Sequence, residues 1–128
     1  MNAFRALLVL MAVSIVAYTL ITGVNHGWNL FPLFLGDMVA MTWSGQFNLD
    51  FTCFLILSGL WVSWRHQFSL SGLTLGLIAI IGGIMFLAPY LLFATLQANG
   101  NMEAQFLGKK RIVELVNLSA AQQNAKSD

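Results

Sequence analysis

The amino-acid sequence predicts an all-α integral membrane protein with three transmembrane helices, a short interfacial or re-entrant helix and an amphipathic C-terminal helix. Three observations predict this class. Of the 128 residues, 58% are hydrophobic and 9% are charged, whereas about a quarter of the residues of a soluble protein carry a charge. The mean hydropathy is +0.75. Long uncharged runs recur along the chain, and a run of about 20 apolar residues is the length of a membrane-spanning helix.

Composition also excludes several classes of function. A formal net charge of +1 gives no basic surface of the kind that binds nucleic acid, so no nucleic-acid partner is expected. The single cysteine, Cys53, excludes an intrachain disulfide and a paired-cysteine redox relay. The expected partner is the lipid bilayer, together with either a second copy of the chain or another membrane protein.

The first predicted span is Ala6–Val24, which carries no charged residue. Its length matches the roughly 30 Å core of a bilayer at 1.5 Å per residue. A cleaved signal peptide is the competing interpretation, because Arg5 precedes the run directly. The run is longer than a usual signal core and no small-residue cleavage site precedes Asn25, so we favour an uncleaved span.

A short helix is predicted over about Pro32 to Trp43. Pro32 suits the first turn of a helix, and the segment is too short to cross a bilayer. Asp37 lies in its middle and adds to the cost of placing it in lipid. The favoured interpretation is a helix on the membrane surface with Asp37 facing water, and a re-entrant hairpin lining a polar cavity is the alternative.

The second predicted span is Phe51–Trp64. Asp50 either caps this helix from the headgroup region or lies inside a longer helix that begins near Ser44. The first arrangement costs less, although 14 residues need at least one more turn to cross. Aromatic residues followed by Arg65 are typical of a membrane boundary.

The third predicted span covers about Leu70 to Leu96 and contains no charge. Gly72 and Gly76 form a small-xxx-small pair, and Gly83 follows on nearly the same face. Glycines at this spacing let two helix backbones approach closely, so we predict that this face packs against another helix.

Pro89 has no amide hydrogen and cannot complete the hydrogen bond to the carbonyl of Met85. The neighbouring glycines at 82 and 83 loosen the same stretch. A kink is therefore predicted between Gly82 and Pro89.

Two segments follow from this pattern, a transmembrane domain over residues 1–97 and a C-terminal segment over residues 98–128. The second segment is predicted to form a surface helix over Met102 to Leu118 with a basic centre at Lys109–Arg111, and to be disordered from Ala120 to Asp128.

The charges leave the number of crossings open. With three spans and a cytoplasmic N-terminus, Arg5 and Arg65 are inside and the cations at Lys109–Arg111 are outside, against the usual enrichment of positive charge in the cytoplasm. If Leu30–Trp43 crossed as a fourth span, only Arg65 would be misplaced, but Asp37 would lie in the membrane. Three spans are favoured on helix length.

Several segments resemble one family. They are Leu30-Phe31-Pro32-Leu33-Phe34, Phe47-Asn48-Leu49-Asp50, Trp64-Arg65 and Ala88-Pro89-Tyr90-Leu91-Leu92. Together, in a chain that begins with a hydrophobic helix, they resemble the short membrane proteins of domain of unknown function 2834 over about Ala6 to Gln97. The chain departs from that pattern in a longer linker at Trp43–Gln46 and in its C-terminal extension. The resemblance implies a three-helix, multi-pass protein of a bacterial-type inner membrane and assigns no activity.

Few residues offer chemistry. Asp37 and Asp50 are candidates for a polar pathway, because carboxylates within a membrane usually serve a function. His26 and His66 lie on opposite sides in a three-span protein, so no haem or metal site is expected and no cofactor is predicted. No nucleophile and base meet at one depth, which argues against an enzyme.

The predicted function is therefore a non-catalytic helix-packing subunit or accessory factor. The alternative is a small oligomeric transporter or channel that uses Asp37 and Asp50. A membrane enzyme ranks third.

Overall fold

A computed structural model describes residues 1–127, with Ser127 described by its backbone alone. The described residues form seven α-helices and no strand. The helices are α1 (Asn2–His26), α2 (Phe31–Val39), α3 (Trp43–Arg65), α4 (Leu70–Gly82), α5 (Ile84–Gln97), α6 (Met102–Leu107) and α7 (Lys109–Ser127). Within this part of the chain, α1 and α3 are the two helices long and apolar enough to cross a membrane.

Both long helices extend beyond the segments predicted from the sequence. α1 contains all of the predicted first span. α3 begins at Trp43 because the Thr42 side chain accepts a hydrogen bond from the amide of Gly45, at 3.2 Å, and so caps the first turn. The prediction that Asp50 caps this helix is therefore wrong, and Asp50 lies inside α3.

The predicted third span is two shorter helices joined at Gly83. The backbone of Gly83 has φ 54° and ψ −138°, a conformation that glycine adopts far more readily than residues with a side chain. This residue ends α4 and begins α5. The break falls at Gly83, whereas Pro89 lies inside α5, which continues to Gln97.

α4 and α5 form a hairpin. α4 begins beside the end of α3 and runs back along it, and α5 then returns to the end where α4 began. An added Cβ on Gly72, near the start of α4, would lie 2.6 Å from the Cβ of His66, and one on Gly83 would lie 3.1 Å from Leu55. Beyond this turn, the hydroxyl of Tyr90 in α5 lies 2.8 Å from Nε2 of His66. A single kinked helix rising 1.5 Å per residue would carry Tyr90 away from His66, so the chain reverses at Gly83.

The hairpin also joins the two long helices. α4 packs along α3 and α5 packs along α1. The side chain of Arg5, at the start of α1, donates to the carbonyl oxygen of Thr95 at 2.9 Å. The start of α1 therefore lies at the same end of the fold as the end of α3.

α2 runs beside the first half of α3. The side-chain amide of Asn48 donates to the carbonyl of Phe34 at 3.2 Å, and the backbone of Asp37 touches Gly45. These contacts are antiparallel, so α2 follows the axis of α3. The favoured prediction of a helix on a membrane surface, with Asp37 facing water, stays a prediction.

The C-terminal segment is helical but interrupted. Asn101 caps α6 by accepting from the amide of Ala104 at 3.2 Å, and Gly108, with φ 81°, separates α6 from α7. α7 continues to Ser127, so the stretch from Ala120 onward that we predicted to be disordered is helical as far as it is described. Asp128 lies outside the described residues.

Candidate functional site

A group of polar and aromatic side chains meets where α3 ends, and we call it the Tyr90 cluster: Arg65, His66, Tyr90, Trp61 and Gln105. The hydroxyl of Tyr90 lies 2.9 Å from Nη1 of Arg65 and 2.8 Å from Nε2 of His66. The guanidinium of Arg65 can only donate, so the phenol oxygen accepts there. Its own proton is then free to point at Nε2 of His66, which accepts it when the imidazole is neutral.

The surroundings of His66 favour that neutral form. Burial lowers the pKa of His66 below its usual value near 6.5, and the positive charges of Arg65 and Lys110 lower it further. A neutral imidazole suits both its cationic neighbours and the hydrogen bond with Tyr90.

Aromatic rings pack around the phenol. Trp61 meets the ring of Tyr90 edge to face, with centroids 6.2 Å apart, and Phe86 stacks on it at 5.6 Å. The ring of Phe106 in α6 lies 6.3 Å from that of Trp61, at an angle of 60°. These contacts hold α3, α5 and α6 together at one depth.

Three arginines join helices that are distant in sequence. Arg65 donates through Nε to the carbonyl of Gln105 at 2.8 Å, and Arg111 donates to the carbonyl of Trp64 at 3.1 Å. The guanidinium of Arg111 also lies 4.1 Å from the centroid of a Trp64 ring, a cation–π contact. Arg5 donates to the carbonyl of Thr95, so all three arginines have a backbone oxygen as acceptor.

The side-chain amide of Gln105 is buried in the cluster without a hydrogen-bond partner among the described residues. It is fully buried, and neither Oε1 nor Nε2 has a hydrogen-bond partner there. A buried amide without partners costs about 1–3 kcal/mol. The aromatic contacts and the Arg65 bond must offset this cost to keep α6 closed over the cluster.

The predicted carboxylates lie at the opposite end of the fold. Asp50 is exposed on α3, and Asp37 is half-buried in α2. No group of three or more potential metal-ligating side chains occurs among residues 1–127. The fold brings neither aspartate to the Tyr90 cluster.

The predicted glycines lie at helix contacts. Gly72 and Gly76 are buried against α3, where an added Cβ on Gly76 would meet Ser63 and would lie 2.7 Å from the carbonyl oxygen of Gly59. Gly59 and Ser63 were missed as partners, although they form a small-xxx-small pair of their own. Gly83 forms the turn of the hairpin.

Sequence reasoning also gave Tyr90 no functional role, and it considered His66 only as a possible haem or metal ligand. The available signal was a single tyrosine within an otherwise apolar run. His26 ends α1 at the other end of the fold, so the two histidines do not share a site.

No protein-family model, no curated protein and no solved structure matches this chain. The resemblance to domain of unknown function 2834 therefore stays a prediction.

Proposed function

We propose that this protein is a non-catalytic membrane subunit or accessory factor that crosses the bilayer twice, through α1 and α3, with α4 and α5 as a re-entrant hairpin. The observation that carries the topology is the position of five cations. Arg5, Arg65, Lys109, Lys110 and Arg111 all lie at the end of the fold where α1 begins and α3 ends. Two crossings with a cytoplasmic N-terminus keep all five inside, which removes the conflict that three spans create.

The backbone of the hairpin is compatible with insertion from one side. At the turn, the amide of Gly83 donates to the carbonyl of Ala79 at 2.9 Å, and the carbonyl of Gly83 accepts from the amide of Leu87 at 2.9 Å. Non-helical backbone inside a bilayer must be shielded by protein. Gly83 is buried against Leu55 and Phe51 of α3, which supplies that shield.

The hydrogen bonds of the Tyr90 cluster and of two further arginines support a structural, non-catalytic role. Arg5, Arg65 and Arg111 bind backbone carbonyls of other helices, and Tyr90 is held between Arg65 and His66. These bonds fasten helices to each other.

The outer surface fits a subunit that associates within a membrane. α1 and α3 expose large apolar side chains along most of their length, and Leu10, Ile21 and Phe54 are each 63% exposed. Lipid or another membrane protein would cover them. Together with the family resemblance, this supports a bacterial-type inner membrane as the location.

Cysteine labelling tests the topology directly. Cys53 is first replaced by serine, and single cysteines are then introduced as Ser44→Cys, Ser71→Cys and Gln122→Cys, all at exposed helical positions. Two crossings with a hairpin place residues 71 and 122 on one side and residue 44 on the other. An impermeant maleimide added to sealed membranes should label the first two from the same side.

The competing topologies give a different pattern. With either three or four spans, residues 44 and 122 share a side and residue 71 lies opposite. That result would overturn the hairpin.

Crosslinking in native membranes tests the role. A photoreactive amino acid at Leu10 or Phe54, which face outward, should capture a heterologous membrane protein if the chain is a subunit. Capture of the chain by itself alone would favour a homo-oligomer instead.

One observation favours a transporter or channel as the second candidate. α2 and the hairpin enter the fold from opposite ends, and a Cβ added to Gly83 at the turn would lie 3.5 Å from the ring of Phe51, the residue after Asp50. Opposed half-length helices that approach the same depth are common at the substrate sites of transporters. This candidate predicts that Asp50→Asn abolishes an ion-dependent flux in proteoliposomes.

A further inference from the structure

An open groove of about 740 Å³ lies between the α3–α4 loop and the first turns of α7. Lys110 and Arg111 contribute positive charge to its lining, and Gln67 and Asn117 contribute neutral polar groups. Val113 and Leu118 add apolar surface to the same groove. The lining therefore combines cations, hydrogen-bond donors and apolar side chains.

The positive charges that line the groove exceed the negative charge beside them. Lys110 is exposed, and no described side chain, from Met1 to Lys126, bonds to it. Arg111 is fixed over the Trp64 ring through its bond to the Trp64 carbonyl. The carboxylate of Glu114 already accepts a hydrogen bond from Gln67 at 3.0 Å. Two cations face the groove against one carboxylate.

The position of the groove on the fold indicates its level relative to a lipid bilayer. It lies next to Trp64, one residue before the end of α3, and tryptophan is enriched at the level of lipid headgroups. A ligand there would have its charged part beside Lys110 and Arg111 and its apolar part beside Val113 and Leu118.

We propose that this groove binds the phosphate headgroup of an anionic phospholipid from the leaflet on the cationic side. A phosphate diester satisfies the two cations, and the glycerol backbone and upper acyl chains satisfy the apolar side chains. A soluble phosphate would leave Val113 and Leu118 uncovered, which favours the lipid as the source of the phosphate. This inference rests on the proposed membrane topology.

The test measures lipid preference in nanodiscs of phosphatidylcholine that contain a small fraction of brominated phosphatidylglycerol. Bromine quenches the fluorescence of nearby tryptophan, and Trp64 adjoins the groove. The key variant is Lys110→Gln, with Lys109→Gln and Lys126→Gln as matched controls, because all three remove one exposed positive charge from α7 and only Lys110 lines the groove.

Lys110→Gln should lower the preference for the anionic lipid by about fivefold, the effect of one cation near a charged leaflet. The two controls should lower it by less than about half of that. Equal losses in all three variants would show a general attraction of the basic helix to the surface and would overturn the site. Equal competition by free glycerol phosphate would overturn the lipid as its source.

This outcome is separable from the topology. If cysteine labelling shows residues 71 and 122 on one side but Lys110→Gln behaves like its controls, the headgroup site fails and the two-crossing proposal stands. If labelling gives the three-span pattern, the proposed function fails by itself.

Discussion

The two ends of α3 differ in how strongly the fold holds them. The end at Arg65 is bonded to α5 through Tyr90, to α6 through the carbonyl of Gln105 and to α7 through Arg111. At the other end, near Trp43, the extensive contact of α3 is with α2. Asp50 is exposed in this part of the helix. Interhelical bonding is therefore concentrated at the cationic end, and the carboxylate end is free to interact with something outside this chain.

The largest loss of stability is expected from Gly76→Leu, which would break the contact between α4 and α3 near the cationic end of the fold. The new side chain would collide with Ser63 and the backbone of Gly59, so α4 would have to move away from α3. Overpacking costs about 1–3 kcal/mol and occasionally more, and the close backbone oxygen of Gly59 puts this change at the upper end of that range. Thermal unfolding in mild detergent measures the loss.

The matched control for this change is Gly36→Leu in α2. Nothing lies within 4 Å of a Cβ added at Gly36, and a helical leucine is about 0.8–1 kcal/mol more favourable than glycine. The control should therefore leave the unfolding temperature unchanged or raise it. Equal losses in both variants would mean that the α3–α4 contact is not the source of cohesion.

A smaller loss of stability is expected from Tyr90→Phe, which removes only the hydroxyl that bonds Arg65 and His66. Arg65 and His66 would each lose a partner in a partly buried place, at a cost of about 2 kcal/mol. Tyr18→Phe is the control, because the side chain of Tyr18 is 73% exposed on α1. A loss of the same size in both variants would show that the Tyr90 cluster does not stabilise the fold.

A pH dependence should follow from His66. Its pKa is lowered in the folded protein, so the unfolded chain binds the proton more tightly. The stability that this provides is complete above pH 6.5, the unfolded value, and is lost as the pH falls through the lowered folded value. The unfolding temperature of the parent should therefore drop between pH 7.5 and 5.5.

His66→Gln should flatten this part of the pH profile, whereas His26→Gln should leave it as in the parent. A profile that is equally steep in both variants would assign the dependence to other groups.

The smallest effect on stability is expected from Asp50→Asn at the other end of α3. Because the carboxylate is exposed, the unfolding temperature should stay within experimental error of the parent. The informative measurement is flux in proteoliposomes. If Asp50→Asn abolishes an ion-dependent flux while stability is unchanged, the protein is a transporter and not an accessory subunit. An unchanged flux would support the accessory subunit.

The sequence by itself determined the helical class and the position of the first long apolar helix, whereas the second begins at Trp43 and not at the predicted Phe51. The two long helices have the length and composition of helices that cross a membrane, and the first contains all of its predicted residues. It also indicated the glycine face of α4, because Gly72 and Gly76 recur at the spacing that close helix packing requires.

Only the tertiary structure decided what the apolar run after Leu70 does. A run without charges is equally compatible with one long crossing and with two half-length helices, since hydropathy carries no information on chain direction. The reversal depends on the conformation of Gly83 and on the fit of its neighbours against Leu55 and Phe51. The Tyr90 cluster depends on that reversal in turn, because Tyr90 reaches Arg65 and His66 only when α5 runs back along α3, and contacts between residues so distant in the chain arise from packing rather than from local sequence pattern.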